Sequence, residues 1–258
     1  MIFKIIRSVL LLSVLISLTF CKVPVKEMEP GLLLTFDDRN MLHWAEQIPL
    51  FEKYDAHVTF FVDHFDKLTT EQLEALKKLK NAGHAIGCHG LRHRKAVEYS
   101  AENTIEKYIT DEIVPAIHTM NKEGFFPTSF AYPNSQSNEK TDSVLLKYFR
   151  HLRSGYFDEG EIVNTEEYFV KVNDVSKKGR LDGVSFHPKA KTDELVSQVK
   201  IAIDRISEKG ELLVLYAHDI RNEGEKGPKN FITIDALEEI LWYSKNNTIK
   251  LYSYDELP

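Results

Sequence analysis

The sequence predicts one α/β domain whose parallel strands close into a barrel. Three observations lead there. From residue 31 onward, short apolar runs rich in β-branched and aromatic residues alternate with longer stretches of helical periodicity, as strands do when crossover helices join them. The number of such runs suits a closed arrangement in a single domain. The 258 residues are 43% hydrophobic and 28% charged, an ordinary globular composition for a chain long enough to bury a large core.

In chain order, Gly31–Phe36 (GLLLTF) reads as a buried strand and His57–Val62 (HVTFFV) as a second. Thr70–Ala82 carries Leu73, Leu76 and Leu79 at helical spacing and stops at Gly83. His84–Cys88 is a third strand. Ser100 is a candidate cap for a long helix reaching Met120 and kinked near Pro115. Thr128–Tyr132 is a fourth strand, followed by a helix around Asn138–Phe149. Strands near His151–Gly155, Tyr168–Val172 and Gly183–Phe186 precede a helix over Glu194–Glu208. Leu212–Ala217 (LLVLYA), a helix over Ile234–Ser244 and a last strand at Ile249–Tyr252 complete the pattern.

Before this domain the composition differs. Lys4 and Arg7 precede an uncharged run, Ser8–Phe20, that is short for a membrane-spanning helix and has the layout of a secretory signal. Leu18-Thr19-Phe20-Cys21 resembles a bacterial lipoprotein cleavage box, although Phe20 is larger than the residue usual there. The expectation is a signal over 1–21, a tether over 22–30 (KVPVKEMEP after Cys21) and a catalytic domain over 31–258. The mature protein would be exported and held by lipid or an anchor at a membrane surface, facing the periplasm or the cell exterior. With Cys21 acylated, Cys88 has no partner and a disulfide scaffold is excluded. The net charge of −6, with no Lys/Arg stripe, gives no support for nucleic-acid binding.

Polar residues gather just after the expected strands, at the rim where βα barrels place their sites. Asp37 and Asp38 follow GLLLTF. Neighbours on an extended chain point in different directions, so one carboxylate can bind a metal while the other faces substrate; loop or capping acids would look the same. His89 and His93 follow the third strand, four residues apart. With Asp38 they make three ligands of the kind a catalytic zinc uses, leaving the fourth position for water. His218 ends LLVLYA and is a candidate proton donor. Cys88 reads as a buried thiol, and His187, before Pro188, as a loop residue.

LTFDD (Leu34–Asp38), HVTFFV, GHAIGCHGLRH (Gly83–His93), FAYP (Phe130–Pro133) and LLVLYAHDI (Leu212–Ile220) stand in the order found in the polysaccharide deacetylase, or NodB-like, family (carbohydrate esterase family 4). The sequence resembles that family over roughly Gly31–Leu257, and FAYP is similar to the form in deacetylases of exported poly-N-acetylglucosamine. The resemblance implies a distorted (β/α)7-type barrel. It implies Asp37 as general base, Asp38, His89 and His93 as ligands of a divalent metal, and His218 as general acid. The metal would be Zn2+, with Co2+, Ni2+ or Mn2+ also compatible. The oxyanion would meet the backbone N–H of Asn134, because Pro133 has none, with Tyr132 beside it. Three departures stand out. Arg39 replaces a usual Gly, Ala131 replaces an Arg that pairs with the catalytic Asp, and no Trp lies where the fourth motif has one. Arg153, after another strand, is a candidate substitute for the missing cation, or simply a surface residue.

The expected function is removal of N-acetyl groups from an N-acetylhexosamine polymer or oligomer. Two alternatives use the same barrel: a metal amidase or esterase on another acyl substrate, and a non-catalytic glycan-binding lipoprotein.

Overall fold

The computed structural model describes residues 28–156, 162–186, 192–225 and 230–258. The signal, most of the tether, Cys21 and His187-Pro188 lie outside the described residues.

Eleven strands are present among the described residues: β1 (Gly31–Asp38), β2 (Thr59–Val62), β3 (Ala85–Cys88), β4 (Ser129–Ala131), β5 (His151–Tyr156), β6 (Phe169–Lys171), β7 (Arg180–Ser185), β8 (Glu211–Ala217), β9 (Asp219–Arg221), β10 (Phe231–Thr233) and β11 (Lys250–Tyr252). Seven close a parallel barrel in the order β1-β2-β3-β4-β5-β7-β8, with β8 returning to β1. This is the expected (β/α)7-type fold in one domain.

The distortion has a specific origin. One edge of β1 is shared: Gly31–Leu33 pair with β11 and Thr35–Asp38 pair with β2. One edge of β8 is shared in the same way, Glu211–Leu213 pairing with antiparallel β6 and Leu215–Tyr216 with β7. Two short strands thus wedge the barrel open at its N-terminal end, while the C-terminal rim is closed by the seven. The strand expected near Tyr168–Val172 is β6, whose antiparallel direction the sequence pattern does not reveal, and the three-residue β9 and β10 carry no periodicity long enough to be read from sequence.

Strand alternation sorts the side chains into two cores. Leu33, Phe61, Ala131, Leu181 and Val214 meet inside the barrel. Leu32, Leu34, Phe36, Phe60, Cys88, Phe130, Leu213 and Leu215 face the helices. Both faces of β1 and β8 are therefore buried, which is why these strands read as unbroken apolar runs.

Most helix ends match their sequence signals. Thr69 caps Thr70–Asn81 through a capping box with Gln72, and Thr233 caps Ile234–Asn246. The long helix after β3 differs from expectation. Ser100 lies inside a separate helix, Ala96–Glu102, and Thr104 is the cap that starts the next. The irregularity before Pro115 is a π turn over Ile109–Ile113, and the helix runs on without a break into Val114–Lys122, which holds Pro115. No helix among the described residues is long and apolar enough to cross a membrane.

Candidate metal and active site

Asp37 occupies the last inward-facing position of β1 and is buried. Arg153, the central inward residue of β5, is buried as well, and its Nη2 donates to both Asp37 carboxylate oxygens. Its guanidinium lies 5.3 Å from the Phe61 ring centroid and 4.9 Å from that of Tyr216, so two aromatic rings hold the cation. Small residues make the room. Ala131 is the register partner of Arg153 on the adjoining strand, and a Cβ on Gly183 would stand 3.2 Å from Tyr216. Arg153, one strand over from Ala131, thus brings a cation to Asp37, and the reading of Arg153 as a surface residue is set aside. Burial raises the Asp37 pKa, but Arg153 first, then His89 and His218, outweigh it and hold the carboxyl below its ordinary value.

Asp38 leaves the strand at φ +79°. That left-handed turn takes its carboxylate away from the outer core toward the loop after β3. His89 Nε2 lies 3.7 Å and His93 Nε2 3.6 Å from Asp38 Oδ1. One ligand atom from each of Asp38, His89 and His93 lies within 4.8 Å of the others. The His89 Nδ1 donates to the Ala131 carbonyl at 2.8 Å. A carbonyl can only accept, so this bond fixes the tautomer and leaves Nε2 as the donor atom of the group. Burial and the neighbouring His93 push the His89 pKa down to about 4, against the pull of Asp37 and Asp38, so the ring is neutral near pH 7, as a ligand must be. Two imidazoles and one carboxylate on one side of a cleft fit a divalent transition metal.

His218 follows β8 and is close enough for its charge to favour ionised Asp37. Its carbonyl accepts from Trp44 Nε1 at 2.8 Å and from Asn40 Nδ2 at 3.4 Å. The next residue, buried Asp219, accepts from His43 Nδ1 at 2.9 Å and from Arg221 Nε. These supports were not legible in the sequence, where Trp44 is one aromatic on a short helix. Arg39, in place of Gly, pairs with Asp63 at 3.0 Å on the rim.

After β4 the chain turns through two left-handed residues, Asn134 and Ser135, each at φ +52°. Ser135 N–H donates to Tyr132 O and Gln136 N–H to Pro133 O, a pattern that does not use the Asn134 N–H. Asn134 itself is exposed. Tyr132 corrects the sequence reading: strand alternation turns its side chain outward, fully buried against Phe130, and its hydroxyl donates to Asp142 at 2.7 Å. It belongs to the outer core. Cys88 is buried among the same outer residues, its thiol pushed up to about 12 mainly by burial; it is no nucleophile.

Residues 25–148 match the family model for polysaccharide deacetylase, in agreement with the motif resemblance. No curated protein sequence matches the chain. Among solved structures, the chain is similar to the catalytic domain of peptidoglycan N-acetylglucosamine deacetylase from Eubacterium rectale, at 18% identity and TM-score 0.55, covering 91% of this chain and 92% of that one. The chitin deacetylase of the fungal pathogen Colletotrichum lindemuthianum is similar at 13% identity and TM-score 0.55, covering 89% and 88%. A family 4 acetyl xylan esterase from Clostridium thermocellum, in complex with a cobalt ion, is similar at 19% identity and TM-score 0.54, covering 88% and 90%. At these identities the structures share the fold.

Proposed function

The chain is related to the polysaccharide deacetylases, and on that premise we propose that it is a metal-dependent hydrolase removing acetyl groups from the N-acetylhexosamine units of a polysaccharide or oligosaccharide. The observation that carries this reading is the meeting, on one rim of the barrel, of the Asp38–His89–His93 group with the buried Asp37–Arg153 pair. A glycan-binding module has no use for a desolvated carboxylate held ionised beside a cluster of metal-ligating side chains.

Asp38, His89 and His93 would hold the ion, Zn2+ by donor set with Co2+, Ni2+ and Mn2+ compatible, and its chemistry is to polarise a carbonyl and acidify water. The remaining work falls to the protein. Amide hydrolysis needs one proton taken from the attacking water and one given to the departing nitrogen. Asp37 is the acceptor: Arg153 keeps it charged at neutral pH, and the two rings on Arg153 keep that cation from turning away. His218 is the donor, its backbone tied down by Trp44 and Asn40 so that the imidazole keeps its place across from Asp37. The Asn134 N–H, which the backbone hydrogen bonds of its turn leave unused, would be the donor for the developing oxyanion.

The FAYP motif supports an exported poly-N-acetylglucosamine as substrate. The basic start and the apolar run before Cys21 support an exported, membrane-anchored protein. The test is acetate release from chitooligosaccharides and poly-N-acetylglucosamine, with and without added divalent metal. Release from acetylated xylan alone would move the assignment to ester hydrolysis, and glycan binding without release would move it to a binding module.

A further inference from the structure

The loop that carries His93 is held by a group that no motif contains. Between β3 and the helix at Ala96–Glu102 the chain passes twice through left-handed backbone, at Gly90 (φ +85°) and at His93 itself (φ +56°). A side-chain-bearing residue does not rest there unaided. The aid comes from Glu112. Its side chain is wholly buried, and one oxygen, Oε1, accepts from the Arg92 N–H at 2.8 Å and from the Arg94 N–H at 2.9 Å. Those are the two amides flanking His93. The Glu112 main-chain carbonyl accepts from the Leu91 N–H at 3.2 Å.

Two further features accommodate this contact. Glu112 sits in the π turn Ile109–Ile113, the insertion that lets a helix re-aim one side chain without ending. A Cβ on Gly90 would stand 2.7 Å from Glu112 Oε1, so the glycine leaves the carboxylate its place. The neighbours of Glu112 along the helix, Ile109 and Ile113, are buried and apolar. An apolar residue would fill position 112 at no electrostatic cost, whereas a buried carboxylate persists only where its partners compensate its desolvation. The two amides are those partners for Oε1. Oε2 has no hydrogen-bond partner among the described residues, only the Arg94 Nε at 3.9 Å. Burial still raises the Glu112 pKa, against the two amides and Arg94.

We propose that Glu112 is a positioning residue for the metal centre, clamping the backbone on both sides of His93 and so aiming its imidazole at the ion shared with Asp38 and His89. The proposal rests on the metal-site reading above. A support of this kind is read in metal affinity, where loss of an outer-shell partner typically costs about 10–100-fold. The experiment is Zn2+ affinity by chelator competition on purified, folded full-length protein, for wild type, Glu112→Gln, Glu112→Asp and Glu112→Ala, with Ile113→Val as a control that touches the same helix and not the loop. Glu112→Gln keeps an acceptor oxygen at both amides and should bind Zn2+ as wild type does. Glu112→Asp withdraws that oxygen by one methylene, and Glu112→Ala removes it. Both should weaken binding by about 10–100-fold, with Ile113→Val unchanged. If Glu112→Ala fails to fold, Glu112→Asp decides alone. Wild-type affinity in Glu112→Asp would overturn the clamp and leave the metal site standing. A wild-type protein that binds no divalent metal would overturn both.

Discussion

Asp37 and Arg153 form a buried ion pair across the barrel interior, from the end of β1 to the middle of β5. The pair joins two demands that ordinarily conflict. A general base, the role proposed for Asp37, must stay charged in a dry site, and burial alone would neutralise it. Arg153 meets both demands, placing its cation beside Asp37 from β5, where Ala131 is its register partner.

Removing that cation should therefore shift the pH profile. Arg153 favours the Asp37 carboxylate, so Arg153→Met raises the Asp37 pKa. The base must be ionised to act, so activity should be lost at a higher pH on acidification than in wild type. Breaking one side of a buried pair also costs about 3–5 kcal/mol of stability. Arg153→Lys keeps a charge but loses the planar fork and should move the limb less. The measurement is kcat/KM against pH, and an acidic limb unmoved in both variants would contradict the pairing.

His84 provides a stability prediction remote from the chemistry. Its ring packs edge-on against Phe51 and Phe60, at 5.1 and 5.6 Å. Burial first, and His57 second, push its pKa down to about 4. In the unfolded chain a histidine titrates near about 6.5. Between those values the unfolded state binds a proton that the folded state refuses, so stability present above pH 6.5 is lost as pH falls toward 4, by up to about 1.4 kcal/mol per pH unit. Urea unfolding across that window should show a shallower pH slope in His84→Gln than in wild type. Parallel curves would assign the slope to the other buried histidines.

Export gives a third prediction. The basic start, the apolar run and Cys21 lead us to expect an acylated Cys21 at the mature N-terminus in the membrane fraction, read by mass spectrometry. An unmodified Cys21 in an exported protein would remove the lipid and keep the export; a cytoplasmic protein retaining Met1 would remove both.

The barrel was legible in the sequence because its strands are buried on both faces and read as apolar runs, and the metal-ligating residues because they follow those runs. Arg153 was legible as a candidate cation, but expected after a strand; it stands in the middle of β5, where alternation turns it into the barrel. What escaped depends on contacts between distant segments. Glu112 lies nineteen positions beyond His93 in the numbering, in a helix whose π turn leaves no sequence mark, and Trp44 reaches the His218 carbonyl from a six-residue helix. Tyr132, expected beside the oxyanion, is turned outward by strand alternation into the outer core, where it meets Asp142.

The central claim is that Asp37 is the base of a metal-dependent deacetylation, and acetate release by wild type and Asp37→Asn at matched metal occupancy tests it most directly. Asparagine keeps the size of the side chain and part of its hydrogen bonding and cannot accept the proton. Asp38→Ala, His89→Ala and His93→Ala should lose metal and activity together. Asp37→Asn should retain metal and fold while turnover falls by about 10²–10⁴-fold, the usual scale of general acid–base catalysis. Equal turnover in wild type and Asp37→Asn, with the ion bound in both, would contradict the account.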